Sequence, residues 1–422
     1  MAEAILLTWV PDGRVLGLNA YRQAGGYRAA ERVARGELTP DQLIDWVVQS
    51  GLRGKGGAGF PTGQKWKFIP RAAPVKYVVV NADEGEPGTF KDRTLIEGCP
   101  HVLIEGILLA AMAIGARKAY VYLRKEFYLG RKRLDEAIAE ARAAGLVGER
   151  VFGSDHTVDI VVHSGAGAYI AGEESALLES LEGRRALPRL RPPFPAQAGL
   201  YQQPTLLHNV ETLCHLPAIV RMGPDQYKAL GPPALFSVSG AVQRPGVYEA
   251  PLGVTLRSLI FEHAGGLHPG RRFVAAFPGG SSSAILVDAD LDVKMDYDTL
   301  RQAGTMLGSA AVIVIDDAAD IVEVIARTVE FYRDESCGKC TPCREGTIWI
   351  TQIFDRLLHG AGRPDDLALL ESVAAGMTGT CFCPLGESVP PSLVASLRHF
   401  RPDYERRIGA GAAHEHAGAH GH

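Results

Sequence analysis

Apolar residues recur at helical spacing in Asp-Gln-Leu-Ile-Asp-Trp-Val-Val, just after Thr39 and Pro40, a pair that predicts a helix start. The pattern then changes. Val75-Lys-Tyr-Val-Val-Val80 is β-branched and apolar and stops abruptly at Asn-Ala-Asp-Glu-Gly-Glu-Pro-Gly, which predicts a buried strand running into a polar loop. A buried helix over Leu103–Ala116 and a strand over Ala119–Leu123 follow, then a helix over Asp135–Leu146 and a strand over Val158–His163. This alternation predicts a mainly parallel α/β sheet, with ligands at the carboxyl ends of its strands.

From Arg184 to Pro204 the chain is rich in Pro and Arg and reads as an extended crossing segment, and Pro224 to Pro233 marks a boundary. Residues 235–318 change character, with short strands (Leu-Phe-Ser-Val-Ser-Gly, Pro-Gly-Val-Tyr, Ala-Ala-Val-Ile-Val-Ile) and one helix near Leu256–Ala264, a small α+β module. Beyond residue 320 the spacing turns helical, over Ile321–Arg333, Thr347–Leu358, Asp366–Ala375 and Pro391–Phe400. No repeat of solenoid period is present.

Composition narrows the function classes. At 422 residues the chain has room for two or three domains, and 44 Lys+Arg against 48 Asp+Glu leave no basic stripe of the kind that nucleic acid requires. The longest strongly apolar run, Ile107–Ala116 between Glu105 and Arg117, falls short of the roughly 20 residues that span a bilayer. The amino terminus lacks a basic segment and a small-residue cleavage site, so a cytoplasmic protein is expected.

Five of the seven cysteines, Cys337, Cys340, Cys343, Cys381 and Cys383, crowd among the C-terminal helices. In a reducing compartment such crowding points to metal rather than disulfides. Three thiols three residues apart, in a tight turn opening a helix, plus one remote thiol, is the ligand distribution of a cubane iron-sulfur cluster; structural zinc more often takes two Cys-x-x-Cys pairs. Cys383, ahead of Pro-Leu-Gly in a turn, is the better remote ligand by position, with Cys381 as the alternative. Cys99 and Cys214 read as small buried hydrophobes.

A second chemistry-bearing stretch is Gly51-Leu-Arg-Gly-Lys-Gly-Gly-Ala-Gly-Phe-Pro-Thr-Gly63, where the missing Cβ atoms let backbone approach a ligand. Gly54, Gly56 and Gly59 match G-x-G-x-x-G, but a helix rather than a strand precedes them, so the dinucleotide fingerprint fails in context. A flexible surface loop is the plain alternative. Lys65, Trp66, Lys67 and Phe68 add cations and aromatic faces suited to phosphate and a planar ring. Asn81, Asp83, Glu84 and Glu86 after one strand, and Glu173 and Glu174 after another, are either solvated acids or acceptors for the hydroxyls of a sugar-bearing cofactor.

Together, Arg53-Gly-Lys-Gly-Gly-Ala-Gly-Phe-Pro-Thr-Gly, Asn81-Ala-Asp-Glu-Gly-Glu-Pro-Gly-Thr-Phe-Lys-Asp-Arg93, Tyr169-Ile-Ala-Gly-Glu-Glu-Ser175, Pro192-Pro-Phe-Pro-Ala196 and Glu335-Ser-Cys-Gly-Lys-Cys-Thr-Pro-Cys-Arg-Glu-Gly346 resemble the NADH-binding flavoprotein (51 kDa, F) subunit of respiratory complex I. The resemblance runs from about residue 20 to residue 408. It implies a Rossmann-like α/β FMN-binding domain over 1–230 with an N-terminal extension, and a small ubiquitin-like (SLBB) α+β domain over 235–320. A C-terminal helical bundle holding a 4Fe-4S cluster over 325–408 completes it, ahead of a disordered His-rich tail over 409–422.

The resemblance further implies FMN held by Gly54, Gly56, Lys65, Asn81, Asp83, Glu84, Gly172, Glu173, Glu174, His208, Asn209 and Thr212. NADH falls to Gly57, Gly59, Phe60, Phe68, Glu86, Glu174, Arg191 and Phe194. The three Phe would stack on adenine, and Glu86 would be the catalytic-site contact to the nicotinamide amide. Cys337, Cys340, Cys343 and Cys383 become the cluster ligands. Arg191 stands where Lys is usual, His208 where Asn is common, and Cys381 and Pro384 alter the surroundings of the fourth ligand. The activity implied is NADH:quinone oxidoreduction: hydride from NADH to FMN, then single electrons to the cluster and onward to quinone. Implied partners are the thioredoxin-like 2Fe-2S (24 kDa, E-type) subunit and the large iron-sulfur (75 kDa, G-type) subunit, on the cytoplasmic face of the inner membrane. No nucleic acid is expected. The alternatives are a diaphorase subunit of a soluble NAD-dependent formate dehydrogenase or NAD-reducing hydrogenase, and a non-enzymatic metal-binding scaffold.

Overall fold

The computed structural model describes residues 4–10 and 14–408; the expected His-rich tail over 409–422 lies outside them. The chain divides into two compact units, the first comprising residues 1–85, 89–237 and 247–254, the second residues 86–88, 238–246 and 255–422.

The first unit is built on a fully parallel sheet of β1 (Tyr77–Ala82), β2 (Lys118–Leu123), β3 (Asp159–Ser164) and β4 (Thr205–Asn209), in the order β3-β2-β1-β4. The chain steps outward from β1 to β2 to β3 and then returns to the far side of β1. The strand order therefore reverses between β1 and β4, the topological switch point at which open α/β sheets bind ligands. Register places Asn81 beside Asn209 there. β1 begins at Tyr77 rather than Val75, whose side chain is exposed ahead of the first pairing, Tyr77 with Lys118.

The helix Pro100–Ile114 is buried at every residue, as a helix apolar on all sides must be. Its one carboxylate, Glu105, is fully enclosed and accepts from the Tyr21 hydroxyl at 2.5 Å and from the backbone N–H groups of Tyr27 (2.9 Å), Ala29 (3.0 Å) and Ala30 (3.2 Å). The last three donors belong to the start of the helix Arg28–Ala34, so a residue distant in sequence supplies that helix's cap. Among the described residues no single helix is long and apolar enough to cross a membrane. Lys91–Gly98 and Pro100–Ile114 reach that length and composition only as a pair, bent by 100°.

The second unit carries β7 (Phe273–Phe277), paired antiparallel with β8 (Leu286–Val287) and β9 (Ala311–Asp316). They belong to a sheet of order β6-β5-β9-β7-β8, in which β5 (Pro233–Gly240) and β6 (Gly246–Pro251) are the strands along which the chain passes between units. The expected helix near Leu256–Ala264 is a π-helical turn over Ser258–His263. The helices Ile321–Asp334, Thr341–Leu358, Asp366–Met377 and Val389–His399 complete it. Two of these begin earlier than their apolar spacing predicts, because Pro342 and Pro390 occupy first-turn positions, where a missing N–H costs nothing.

Candidate functional sites

The glycine-rich loop doubles back on itself. Gly54 N–H donates to the Phe60 carbonyl at 2.8 Å, Thr62 N–H donates to the Leu52 carbonyl at 2.9 Å, and the Arg53 guanidinium reaches the Gly59 carbonyl at 2.6 Å. Gly57 (φ +114°) and Gly59 (φ +62°) hold left-handed conformations that strongly favour glycine. A Cβ on Gly56 would stand 3.2 Å from the Asn209 Cβ, so loop and β4 touch here. The buried Lys55 joins them again, its N–H donating to Thr212 Oγ1 at 2.8 Å and its ammonium to the Pro233 carbonyl at 2.9 Å. The loop is thus a pinned hairpin rather than the flexible alternative.

Two of the acids beyond β1 and β3, Glu84 and Glu173, are spoken for by backbone. Glu84 is buried and accepts the N–H groups of Asp92 (2.7 Å) and Arg93 (2.9 Å) at the start of the helix Lys91–Gly98. Burial first, then Asp92, raises its pKa against the pull of Lys91 and these donors. Asn81 ties β1 to the segment after β3, donating to the Gly172 carbonyl at 2.8 Å and accepting the Asp83 N–H at 3.1 Å. Glu173 caps the helix Glu174–Leu181 through Ser175 N–H (3.0 Å) and Ala176 N–H (2.9 Å).

Glu174 carries the cations instead, with Lys65 at 3.0 Å on one oxygen and Arg191 at 3.1 Å on the other. Burial pushes its carboxyl up, but Lys65 and Arg191 outweigh burial and hold it below the usual range. His208 is buried and its Nε2 accepts from the Trp66 indole N–H at 2.8 Å; burial, then Lys65, keeps it neutral with a pKa well below the ordinary imidazole value. Phe60 and Phe68 are 47% and 56% exposed with centroids 6.3 Å apart, and Phe194 is 50% exposed, a large apolar area to leave in water without a ligand.

Glu86 parts company with its sequence neighbours. By its contacts it belongs to the second unit, where it accepts the Ser282 N–H at 2.8 Å and lies 3.4 Å from the Ser281 hydroxyl. Gly280, at φ +95°, leaves it room: a Cβ there would stand 2.5 Å from Glu86 Oε1. This Gly-Gly-Ser-Ser-Ser run is not among the sequence-predicted sites, although its place just after β7 repeats the strand-end logic that found the other loops. Lys91 and Asp92 were likewise given no role from sequence.

In the C-terminal helices, Cys340 is the residue before the helix Thr341–Leu358 and Cys343 lies in its first turn. The thiols lie close enough to act on one another's ionisation. Cys340 Sγ accepts the Phe382 N–H at 3.5 Å, Cys343 Sγ is 3.3 Å from the Ser336 hydroxyl, and a Cβ on Gly386 would stand 2.4 Å from Cys381 Sγ and 2.9 Å from the Cys343 Cβ. Burial first, then Cys340, Cys343, Glu387 and Cys383, pushes the Cys381 thiol up to about 12. Burial likewise raises Cys343, with Cys340 and Cys337 adding to it. Thiols enclosed together and held protonated fit ligands that would give up their protons to a bound iron core. Lys339 sits 3.8 Å over the Phe382 ring and clasps the two cysteine segments together. Among the described residues no group of three or more His, Cys, Asp or Glu forms a site for a single metal ion. A cubane spreads its four thiolates over a larger body than one ion does.

Comparison with known proteins gives the same order of parts. Residues 47–218 match the Nuo51 FMN-binding domain, residues 235–286 the SLBB domain, and residues 323–407 the NADH-ubiquinone oxidoreductase-F iron-sulfur binding region. The second F subunit (F 2) of the NADH-quinone oxidoreductase of Rhizobium meliloti (strain 1021) is 50% identical over 416 residues, covering 97% of this chain and 98% of that protein. The F subunit of the NADH-quinone oxidoreductase of Escherichia coli (strain K12) is 40% identical over 412 residues, covering 95% and 92%. Among solved structures, an NAD+-reducing NiFe-hydrogenase in the H2-reduced state aligns with a TM-score of 0.83 at 37% identity, covering 96% of this chain and 67% of that one.

Proposed function

The chain belongs to the family of NADH-quinone oxidoreductase F subunits, and from that membership we propose which residues hold each cofactor, which subunits it meets and where it works. It is the electron-input subunit of a multi-subunit NADH-quinone oxidoreductase, an enzyme component carrying FMN and a 4Fe-4S cluster and using NADH as substrate. When bound, FMN would supply the conversion between a two-electron hydride and the single electrons that a cluster can take.

On the first unit, Gly54, Gly56, Lys65, Asn81, Asp83, Glu84, Gly172, Glu173, Glu174, His208, Asn209 and Thr212 form the FMN cradle. The observation that supports this most is their grouping around the switch point between β1 and β4. Gly57, Gly59, Phe60, Phe68, Glu174, Arg191 and Phe194 take NADH, the exposed rings stacking on adenine and Arg191 supplying a cation. On the second unit, Glu86 is assigned the nicotinamide carboxamide as an acceptor, oriented by Ser282. Cys337, Cys340, Cys343 and Cys383 ligate the cluster. Domain boundaries at 1–230, 235–320 and 325–408 follow the same reading. The partners are the thioredoxin-like 2Fe-2S (24 kDa) and large iron-sulfur (75 kDa) subunits, and the site of work is the cytoplasmic face of the inner membrane.

The test is purification with FMN bound, followed by anaerobic addition of NADH. Bleaching of the flavin absorbance is expected even in cluster-free protein. A folded chain that takes up no FMN overturns the reading and leaves the metal-binding scaffold. Glu86→Ala weakens NADH binding while FMN is retained; loss of FMN instead reassigns that loop. The hydrogenase likeness favours one runner-up, a diaphorase of a soluble complex. Copurification from the native host decides it, by whether the partners reduce quinone or oxidise hydrogen or formate.

A further inference from the structure

Beneath the loops just assigned lies a buried charge cluster that the reaction itself does not use. Lys91, Asp92 and Glu211 are each no more than 3% exposed, and the Lys91 ammonium sits 2.8 Å from both carboxylates. Burial alone would lower Lys91, but Asp92, Glu211 and Glu84 raise it above its ordinary value, so it stays a cation. Asp92 then reaches outward. Its Oδ2 accepts from Asn209 Nδ2 at 2.6 Å, and its Oδ1 accepts the Glu211 N–H at 3.2 Å as well as Lys91.

We propose that Asp92, anchored by Lys91, is a positioning residue that fixes the amide orientation of Asn209 and so presents the Asn209–Thr212 edge to FMN. Asp92 Oδ1 already takes the Lys91 ammonium and the Glu211 N–H, and Oδ2 is the acceptor left, so the Asn209 nitrogen faces it and the Asn209 oxygen turns to cap Thr212 N–H at 3.4 Å. Gly56 packs on the Asn209 Cβ and Lys55 N–H holds Thr212 Oγ1, so the glycine loop meets β4 at these two residues, and a flipped amide would turn a donor toward Thr212 N–H and remove its cap. The Asp92 backbone N–H also donates to Glu84 at 2.7 Å, a contact that side-chain substitution leaves in place, whereas the Asp92 side chain touches no assigned ligand position other than Asn209. It acts through that residue.

This inference rests on the FMN reading above, and the experiment separates the two. Asp92→Asn keeps the shape but replaces an acceptor oxygen with a donor nitrogen, which lets Asn209 turn. The Kd for FMN, measured by quenching of flavin fluorescence on the FMN-stripped chain, rises about tenfold or more, the cost of one charge-assisted hydrogen bond. Saturating FMN restores NADH:ferricyanide turnover, and KM for NADH is unchanged. Glu211→Gln is the control: it removes the other carboxylate beside Lys91, leaves the Asp92–Asn209 bond, and lowers the thermal midpoint without moving the Kd for FMN. Should Asp92→Asn fail to fold, Asp92→Ser is read in its place with the same expectation. A Kd for FMN within twofold of wild type in the folded variant, or an equal rise in Glu211→Gln, overturns the inference. Wild-type chain that binds no FMN sinks the parent reading instead.

Discussion

Around the switch point of the parallel sheet, acids are matched to donors: Glu84 and Glu173 cap helices, Glu174 holds Lys65 and Arg191, and Asp92 and Glu211 share Lys91. Among the C-terminal helices, by contrast, thiols press on other thiols, and burial with mutual repulsion raises Cys343 and Cys381. The first region is organised by the polypeptide alone and offers a finished cradle. In the second, Lys339 lies over Phe382 and joins the cysteine segments, but the thiols stay protonated until a metal takes them. One chain therefore loads its two cofactors under different physical regimes, one as docking and the other as assembly.

The contrast is sharpest at the cluster. Cys340→Ser removes the thiol at the head of the helix Thr341–Leu358, so iron and sulfide content and the reduced-cluster paramagnetic signal fall to background while FMN content is unchanged. Coupled loss of FMN would erase the distinction between the regions. Next comes Lys91→Met, which strands Asp92 and Glu211 without a counter-charge; urea unfolding of the first unit should report a loss of about 3–5 kcal/mol. A loss under about 1 kcal/mol means the pair is neutralised by protonation instead. Gly280→Ala is smaller: a side chain at φ +95° costs about 1–2 kcal/mol and pushes on Glu86, so KM for NADH rises severalfold with cluster content intact. The smallest effect is in acid. Burial raises Glu211, but Lys91, His215 and Lys55 outweigh it and hold the carboxyl at about 2. A depressed carboxyl stabilises above its unfolded pKa and loses that contribution as pH falls towards about 2. The stability gap between wild type and Glu211→Gln therefore narrows on acidification below about pH 4.5. A constant gap would assign it to packing.

Much of this was readable in one dimension because strands that end in polar residues announce the edge of a parallel sheet. Asn81, Asp83 and Glu84 fall at such a place, whereas β4 went unpredicted and Asn209 came only from the family resemblance. The glycine loop was ambiguous in sequence, since its pinning depends on Thr212 and Asn209, far along the chain. Glu86 was grouped with its neighbours because sequence shows adjacency but not which unit a side chain joins. Lys91 and Asp92 drew no reading of their own from sequence, because nothing local says that both are buried. The helix at Thr341 began before its apolar spacing does, because proline and thiols mask its first turn.

Glu105 has its carboxylate satisfied by residues 21 to 30. A recombinant version trimmed to start at the glycine-rich loop would keep every assigned ligand-binding residue, yet leave an acid stranded in hydrocarbon at the centre of the flavin domain. Such a shortened protein should precipitate, and the modest leader ahead of the recognisable motifs is better regarded as an internal stopper than as a dispensable preface.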